Sequence, residues 1–164
     1  MKKIGLLLTM FMIAFMVNAQ IGQKQFNAGL GFAHDALPIY VGFDYWVHED
    51  ISIGGEIGWR RYSWTFNNVK YYEDLMNFSF NSNYHFSRIL KIPSKFDPYA
   101  GLNLGFYHWN DNVDYTWNNG HTGGLGLGAQ IGFRYYFTEK FAAGIEFNGG
   151  NQVSDGKIGI SLKF

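Results

Sequence analysis

Along most of this chain apolar and polar residues alternate one for one. Between Lys157 and Phe164, for example, Ile158, Ile160, Leu162 and Phe164 share one parity, and Lys157, Gly159, Ser161 and Lys163 share the other. A period of two with a single apolar face marks a half-buried β-strand. Eight such segments follow one another: Lys24 to His34, Ile39 to His48, Ile51 to Trp64, Leu75 to Phe86, Tyr99 to Trp109, Gly123 to Phe137, Phe141 to Gly149 and Gly156 to Phe164. Each has the nine to eleven residues that a tilted membrane strand requires, several with an overhang. The pattern predicts an all-β protein, an eight-stranded antiparallel up-and-down transmembrane β-barrel.

Parity also sorts the faces. The apolar parity carries residues such as Leu30, Val41, Ile57, Phe80, Leu104, Ile131 and Ile145, and turning it outward makes it a lipid face. Outward aromatics then gather near strand ends. Phe26, Tyr45, Tyr84, Phe86, Tyr135, Phe137, Phe141 and Phe164 fall at one rim, and Phe32, Trp59, Phe106 and Phe147 at the other, as two interfacial girdles. The opposite parity fills the lumen with Gln25, Asn27, Asp44, Glu56, Arg60, Asn77, Ser79, Asn81, Asn83, His85, Asn103, Gln130, Arg134, Glu146, Lys157 and Lys163. A soluble lipocalin-like barrel would place its apolar residues inside instead.

The connections alternate in length. His48 to Asp50 and Thr138 to Lys140 are short turns, while Thr65 to Asp74 and Asn110 to Thr122 read as longer loops rich in Asn and Asp. Short turns on the periplasmic side and longer loops outside follow the outer-membrane plan. The link from Ser87 to Pro98 departs from it, being both long and basic.

Ahead of the first segment, Met1-Lys2-Lys3 and an apolar run to Val17 precede Val17-Asn18-Ala19. A basic start, a short apolar stretch and small residues before a cut predict a cleaved signal peptide over residues 1–19, with the barrel domain spanning 20–164. Composition fits this division: 20% of residues are aromatic and 21 are glycine, yet the mean hydropathy is only −0.14. Alternation hides a membrane barrel's greasy face from any average. Loss of Lys2 and Lys3 with the leader tips a chain of 13 basic and 13 acidic residues slightly acidic, which argues against nucleic acid as a partner. With no cysteine there is no disulfide, thiolate metal site or lipid-attachment cysteine, and nothing calls for a cofactor.

The pattern, and above all the ending Gly156-Lys157-Ile158-Gly159-Ile160-Ser161-Leu162-Lys163-Phe164, resembles small eight-stranded outer-membrane barrels of the OmpA/OmpX type, particularly the stand-alone barrel-domain proteins of Gram-negative bacteria. The resemblance implies export by the general secretory pathway to the outer membrane. It also implies that Phe164 belongs to the signal read by the barrel-assembly machinery, and that outer-membrane lipids and lipopolysaccharide surround the chain. Activity is implied only weakly.

A barrel of eight strands is just wide enough for side chains to fill. Asp44, Glu56, Arg60, Arg134, Glu146 and Lys163 therefore face a confined space in which an unpaired charge is costly, and they are expected to pair as a lumenal polar network. Arg134 and Glu146, near diagonal registry on neighbouring strands, are one expected pair; Asp44 and Glu56 need cations from elsewhere. Some small barrels are lipid A deacylases, which resemble one another in a His-x-Ser pair. Here His108 leads to Trp109-Asn110 and His121 to Thr122-Gly123, so the chain is expected not to be an enzyme. His34 with Asp35, or His121 with Asp111 and Asp114, read as solvated loop residues rather than as a catalytic or metal set.

Two loops carry aromatics among amides and acids: Tyr71 and Tyr72 in one, Tyr115 and Trp117 in the other. They are candidate contacts for lipopolysaccharide or a surface ligand, or else aromatics that brace an extended hairpin. The resulting expectation is a non-enzymatic barrel serving envelope integrity or surface interaction, and acting alone or as a subunit of a larger envelope complex. A lipid-modifying enzyme and a narrow pore are the alternatives.

Overall fold

The computed structural model describes residues 21–33, 36–66, 69–111 and 123–164. They form β1 (Lys24–Phe32), β2 (Ile39–His48), β3 (Ile51–Phe66), β4 (Val69–His85), β5 (Phe96–Asp111), β6 (Gly124–Tyr136), β7 (Phe141–Gly150) and β8 (Ser154–Lys163). Each strand pairs antiparallel with the next, and β8 returns to β1 with Gly159 opposite Gly29, which closes the barrel. Closure leaves no sheet edge, a requirement for strands in hydrocarbon. No helix among the described residues is long and apolar enough to cross a membrane; the strands supply the span.

The outer surface is what the alternation predicts. Leu125 is 70% exposed and Leu102 69%, and Ile57, Phe80, Ile131, Phe147, Ile158 and Ile160 join them in one apolar belt. A continuous apolar surface of this extent suits lipid and not water. Rings line its periplasmic margin: Tyr84 meets Phe86 at 5.0 Å, Tyr135 meets Phe137 at 5.0 Å, and Phe43 meets Phe164 at 6.2 Å. At the other margin Phe32 and Phe147 stand edge to face at 6.1 Å.

Several strands run further than the apolar alternation suggests. The stretch expected as a loop from Thr65 to Asp74 is instead a ladder in which Thr65 faces Lys70 and Phe66 faces Val69. β3 and β4 reach 16 and 17 residues against nine for β1, so their hairpin projects past the belt. Backbone pairing needs no apolar face once it leaves lipid, so the loss of alternation marks the edge of the membrane and not the end of the strand. The same reason extends β5 down to Phe96 and β8 up to Ser154, taking Asp97 and Asp155 into the barrel wall.

Candidate functional site

The inward parity builds a polar core that side chains close from wall to wall. Large lumenal tyrosines stand over glycines: a Cβ at Gly132 would clash with the hydroxyl end of the Tyr99 ring, and one at Gly159 would meet the Tyr40 hydroxyl. Glycine at these positions is what lets two bulky rings share so narrow a tube.

Charges lock this core across the tube. Arg134 Nη2 on β6 donates to Asp44 Oδ2 on β2 at 3.0 Å, its Nη1 lies 3.8 Å from Asp97 Oδ2, and its guanidinium stacks 4.3 Å from the Tyr99 ring. Above it Lys157 Nζ donates to Glu56 Oε1 at 2.6 Å and to Glu146 Oε1 at 3.2 Å, while the Tyr99 hydroxyl donates to Glu146 Oε2 at 2.8 Å. Arg60 Nη2 donates to Asp155 Oδ2 at 2.5 Å nearest the outer end. Amides join the remaining walls: Gln130 Nε2 donates to Asn83 Oδ1 at 2.7 Å, and Asn103 Nδ2 to Gln130 Oε1 and Asn148 Oδ1, both at 3.0 Å.

Of the six predicted lumenal charges all face inward, but three depart from the expected pairing. Arg134 does not bind Glu146. Glu146 stands directly opposite Lys157 across the β7–β8 ladder, whereas it meets Arg134 only diagonally. A direct cross-strand neighbour is closer than a diagonal one, so lysine wins the carboxylate. Lys163 has no carboxylate partner among the described residues; its Nζ sits 3.9 Å from the Tyr136 ring centre and 5.3 Å from that of Trp46. Asp44 and Glu56 do draw cations from elsewhere, from β6 and β8.

Sequence reasoning overlooked Asp97 and Asp155, although each only extends by two the inward parity of Tyr99 and Lys157. It also overlooked a triad. Ser52 Oγ lies 2.9 Å from His85 Nε2, and His85 Nδ1 lies 2.7 Å from Asp97 Oδ1. A hydrolase would use this order of groups, but Ser52 has no exposed surface and lines none of the described cavities. Its hydroxyl and Asp97 fix the imidazole in place, where Trp46 packs on it at 5.0 Å.

Free space in the lumen is small. A cavity of about 30 Å³ lies among Tyr40, Asp44, Glu56, Asn81, Arg134 and Glu146, and another of about 10 Å³ among Arg60, Asn77, Asn103, Tyr107 and Asp155. Each has room for no more than a water or two. A larger cavity of about 370 Å³ opens at the periplasmic mouth, between Trp46, His85, Asp97 and Lys163 and the β4–β5 turn.

Outside the lumen, Arg61 anchors the base of the projecting hairpin. Its Nε and Nη2 donate to the two carboxylate oxygens of Asp74 at 2.7 and 2.9 Å, and its guanidinium lies 5.3 Å from the Trp59 ring and 5.6 Å from the Tyr72 ring. The hydrogen bonds from Arg61 hold the Asp74 carboxyl below the usual carboxylate range. Tyr71 and Tyr72 thus belong to β4 and not to a loop, with Tyr71 opposite Trp64 in the ladder. Tyr62 stacks on Trp109 at 5.5 Å and ties β5 to the same hairpin. Tyr115, Trp117, His34, Asp35, Asp114, His121 and the expected leader lie outside the described residues. Phe164 lies on the lipid side of the periplasmic rim, 64% exposed, its amide donating to the Lys24 carbonyl at 3.0 Å.

A closed eight-stranded barrel with a lipid-fitted exterior and a salt-bridged interior is the fold of the small outer-membrane barrels. No protein-family model matches the chain, and no curated protein sequence does. Solved structures do. The outer membrane protein OprG of Pseudomonas aeruginosa aligns at a TM-score of 0.66 and 12% identity, over 90% of this chain and 98% of that one. The N-terminal barrel domain of OprF from the same species gives 0.60 at 19% identity, over 88% and 98%. Ail of Yersinia pestis, in complex with the heparin analogue sucrose octasulfate, gives 0.57 at 12% identity, over 88% and 99%. At these identities the likeness is one of fold, the OmpA/OmpX-type barrel that the terminal strand resembles.

Proposed function

We propose that the chain is an integral outer-membrane protein without catalytic activity, a plugged barrel that works from its outer end. The observation that carries this is the contrast between a lumen closed by ion pairs and a β3–β4 hairpin that outruns the belt by several residues on each strand. The barrel is a rigid stem, and the hairpin with the end of β5 is what it holds above the membrane. There Tyr72, Arg61 and Lys70 present a ring and cations to the outside. Phosphorylated sugars such as those of lipopolysaccharide suit that chemistry, and the complex of Ail with a sulfated sugar analogue supports an anionic saccharide as the ligand class. Insertion by the barrel-assembly machinery and membership of a larger envelope complex belong to the same proposal.

Conductance, labelling and capture test it on the folded chain in bilayers. Planar-bilayer recordings should give no steady conductance of porin size, and an active-site fluorophosphonate should leave Ser52 unlabelled; a selective channel lost on changing Glu56 or Arg134, or a labelled Ser52, would replace this reading. Capture of lipopolysaccharide should fall when Tyr71, Tyr72, Tyr115 and Trp117 are together changed to Ser, with melting unaltered. If melting falls while binding follows only the amount of folded protein, the aromatics brace the hairpin and bind nothing.

A further inference from the structure

The long link between β4 and β5 does not hang free. Leu90 N–H donates to the Phe86 carbonyl at 2.9 Å, Lys91 N–H to Arg88 and Ile92 N–H to Ser87, both at 3.1 Å. This is one helical turn ended by nested bonds, and it puts Lys91 in the left-handed region at φ 53°. Such a conformation is usually left to glycine, so a lysine there marks a turn that its surroundings hold in shape. Arg88 supplies the hold. It reaches to the neighbouring β2–β3 turn, where its Nε lies 3.0 and 3.1 Å from the two Asp50 oxygens and its Nη1 2.5 Å from Glu49 Oε2. Ser87 Oγ adds a 2.7 Å bond to the Phe96 carbonyl.

Fixed in this way, the turn has two sides. Ser87, Arg88, Ile92 and Ser94 face the mouth cavity. Ile89 and Leu90 do not line it; they stand 65% and 56% exposed, with Lys91 and Lys95 exposed beside them. Two large aliphatic side chains on a tightly bonded turn are not explained by packing within the chain. They do continue a surface already described. On the β4 flank the Tyr84–Phe86 pair closes the girdle, and on the β5 flank Phe96 lies 5.4 Å from Tyr135 and 6.2 Å from Phe133. Lys95 Nζ sits 5.2 Å from the Phe96 ring, a cation at girdle level. Apolar tips flanked by lysines and joined to an aromatic rim match the boundary between acyl chains and phosphates.

We propose that this turn is an interfacial anchor, in which Ile89 and Leu90 enter the periplasmic leaflet while Lys91 and Lys95 meet its lipid phosphates. The proposal rests on the reading of the barrel's exterior as a lipid face. Its effect would be to pin one sector of the rim, beneath β4, one strand of the hairpin that rises furthest outside, and so to set the direction in which that hairpin leans.

Because the chain contains no cysteine, a single introduced one carries a unique nitroxide. The full chain is folded into vesicles of phosphatidylethanolamine and phosphatidylglycerol and labelled at Leu90→Cys, with Ile145→Cys on the lipid face and Glu139→Cys on the β6–β7 turn as references. Collision with oxygen and with a water-soluble nickel chelate is then compared. The label at position 90 should be several-fold better protected from nickel than that at 139, with oxygen access approaching that at 145. Equal nickel access at 90 and 139, with 145 still protected, overturns the anchor and leaves the barrel reading standing; nickel access at 145 overturns the barrel reading instead. Protection of position 90 from both reagents means packing on protein and also overturns the anchor. Adding Lys91→Glu and Lys95→Glu should move the label at 90 towards the value at 139, and an unchanged ratio removes the phosphate contact from the proposal.

Discussion

Ile145 and Glu146 are neighbours in β7, yet they live in different solvents. Ile145 is exposed on a face that meets lipid, where one aliphatic side chain exchanges for another with little consequence. Glu146 is bound to Lys157 and to Tyr99, where each partner depends on the others. The lipid face is a uniform solvent boundary and tolerates anything apolar; the lumen is a set of specific pairings in which removing one group strands the rest. Which face a substitution lands on should therefore matter more than its size or its distance along the chain.

The largest expected effect is Arg134→Leu. The change leaves Asp44 and Asp97 facing each other in the lower lumen without their shared cation, and breaking a buried pair in this way costs about 3–5 kcal/mol. Equilibrium unfolding in detergent or lipid measures it, and adding Asp44→Asn should recover part of the loss because one stranded charge disappears. A neutral Arg134→Leu would mean that water enters the lumen freely and that the core is not a plug.

On the other face Ile145→Arg should cost about 2–4 kcal/mol if the position lies near the bilayer midplane, while Ile145→Leu should be nearly neutral. Equal tolerance of both would reverse the assignment of the faces.

Next comes Glu146→Leu, expected to cost about 1–3 kcal/mol through the unpaired Tyr99 hydroxyl and a weakened lysine. It should cost less than Lys157→Met, because Lys157 keeps Glu56 whereas two carboxylates cannot keep each other. The reverse ranking in the same unfolding assay would show that Tyr99, and not Lys157, is the principal partner of Glu146.

The two faces also differed in how far the chain's alternation revealed them. Lipid asks only for apolar character at every second position, so parity alone places Leu30, Ile57, Phe80 and Ile145 outward, where the barrel exposes them. Parity equally identifies who lies inside, but not who pairs with whom. Lys157 and Glu56 are separated by 101 residues and Arg60 and Asp155 by 95, and only closure of β8 on β1 brings β8 round to face β3 across the tube. Asp97 and Asp155 escaped because they lie past the end of the apolar alternation, where strands continue without their lipid-facing signal. Ser52 escaped for a different reason: a lone serine beside a glycine-rich strand has no mark that distinguishes a histidine's partner from a filler.

The smallest expected effect sharpens the comparison from outside the membrane, where an ion pair has neither a lumen nor lipid around it. Arg61 and Asp74 form an ion pair like those inside, but a bidentate one and at the surface of the projecting hairpin, where water and salt reach it. Asp74 is held below the ordinary carboxylate range by its bonds from Arg61, so its folded-state value lies below its unfolded one. The contribution is then complete above the unfolded value, about 4 for an aspartate, and is lost as pH falls through the lower folded value. The Arg61 Nε–H resonance should accordingly keep its hydrogen-bonded shift at neutral pH, lose it only in acid below the ordinary aspartate range, and weaken at about 1 M salt, where screening acts within a few ångströms. Asp74→Asn should remove the pH dependence altogether. The Arg134 resonance should hold through the same salt range, since its partners are screened by the barrel wall and not by ions. If both resonances respond alike to salt, the lumen is wet, and the division between the two environments fails at its most direct point.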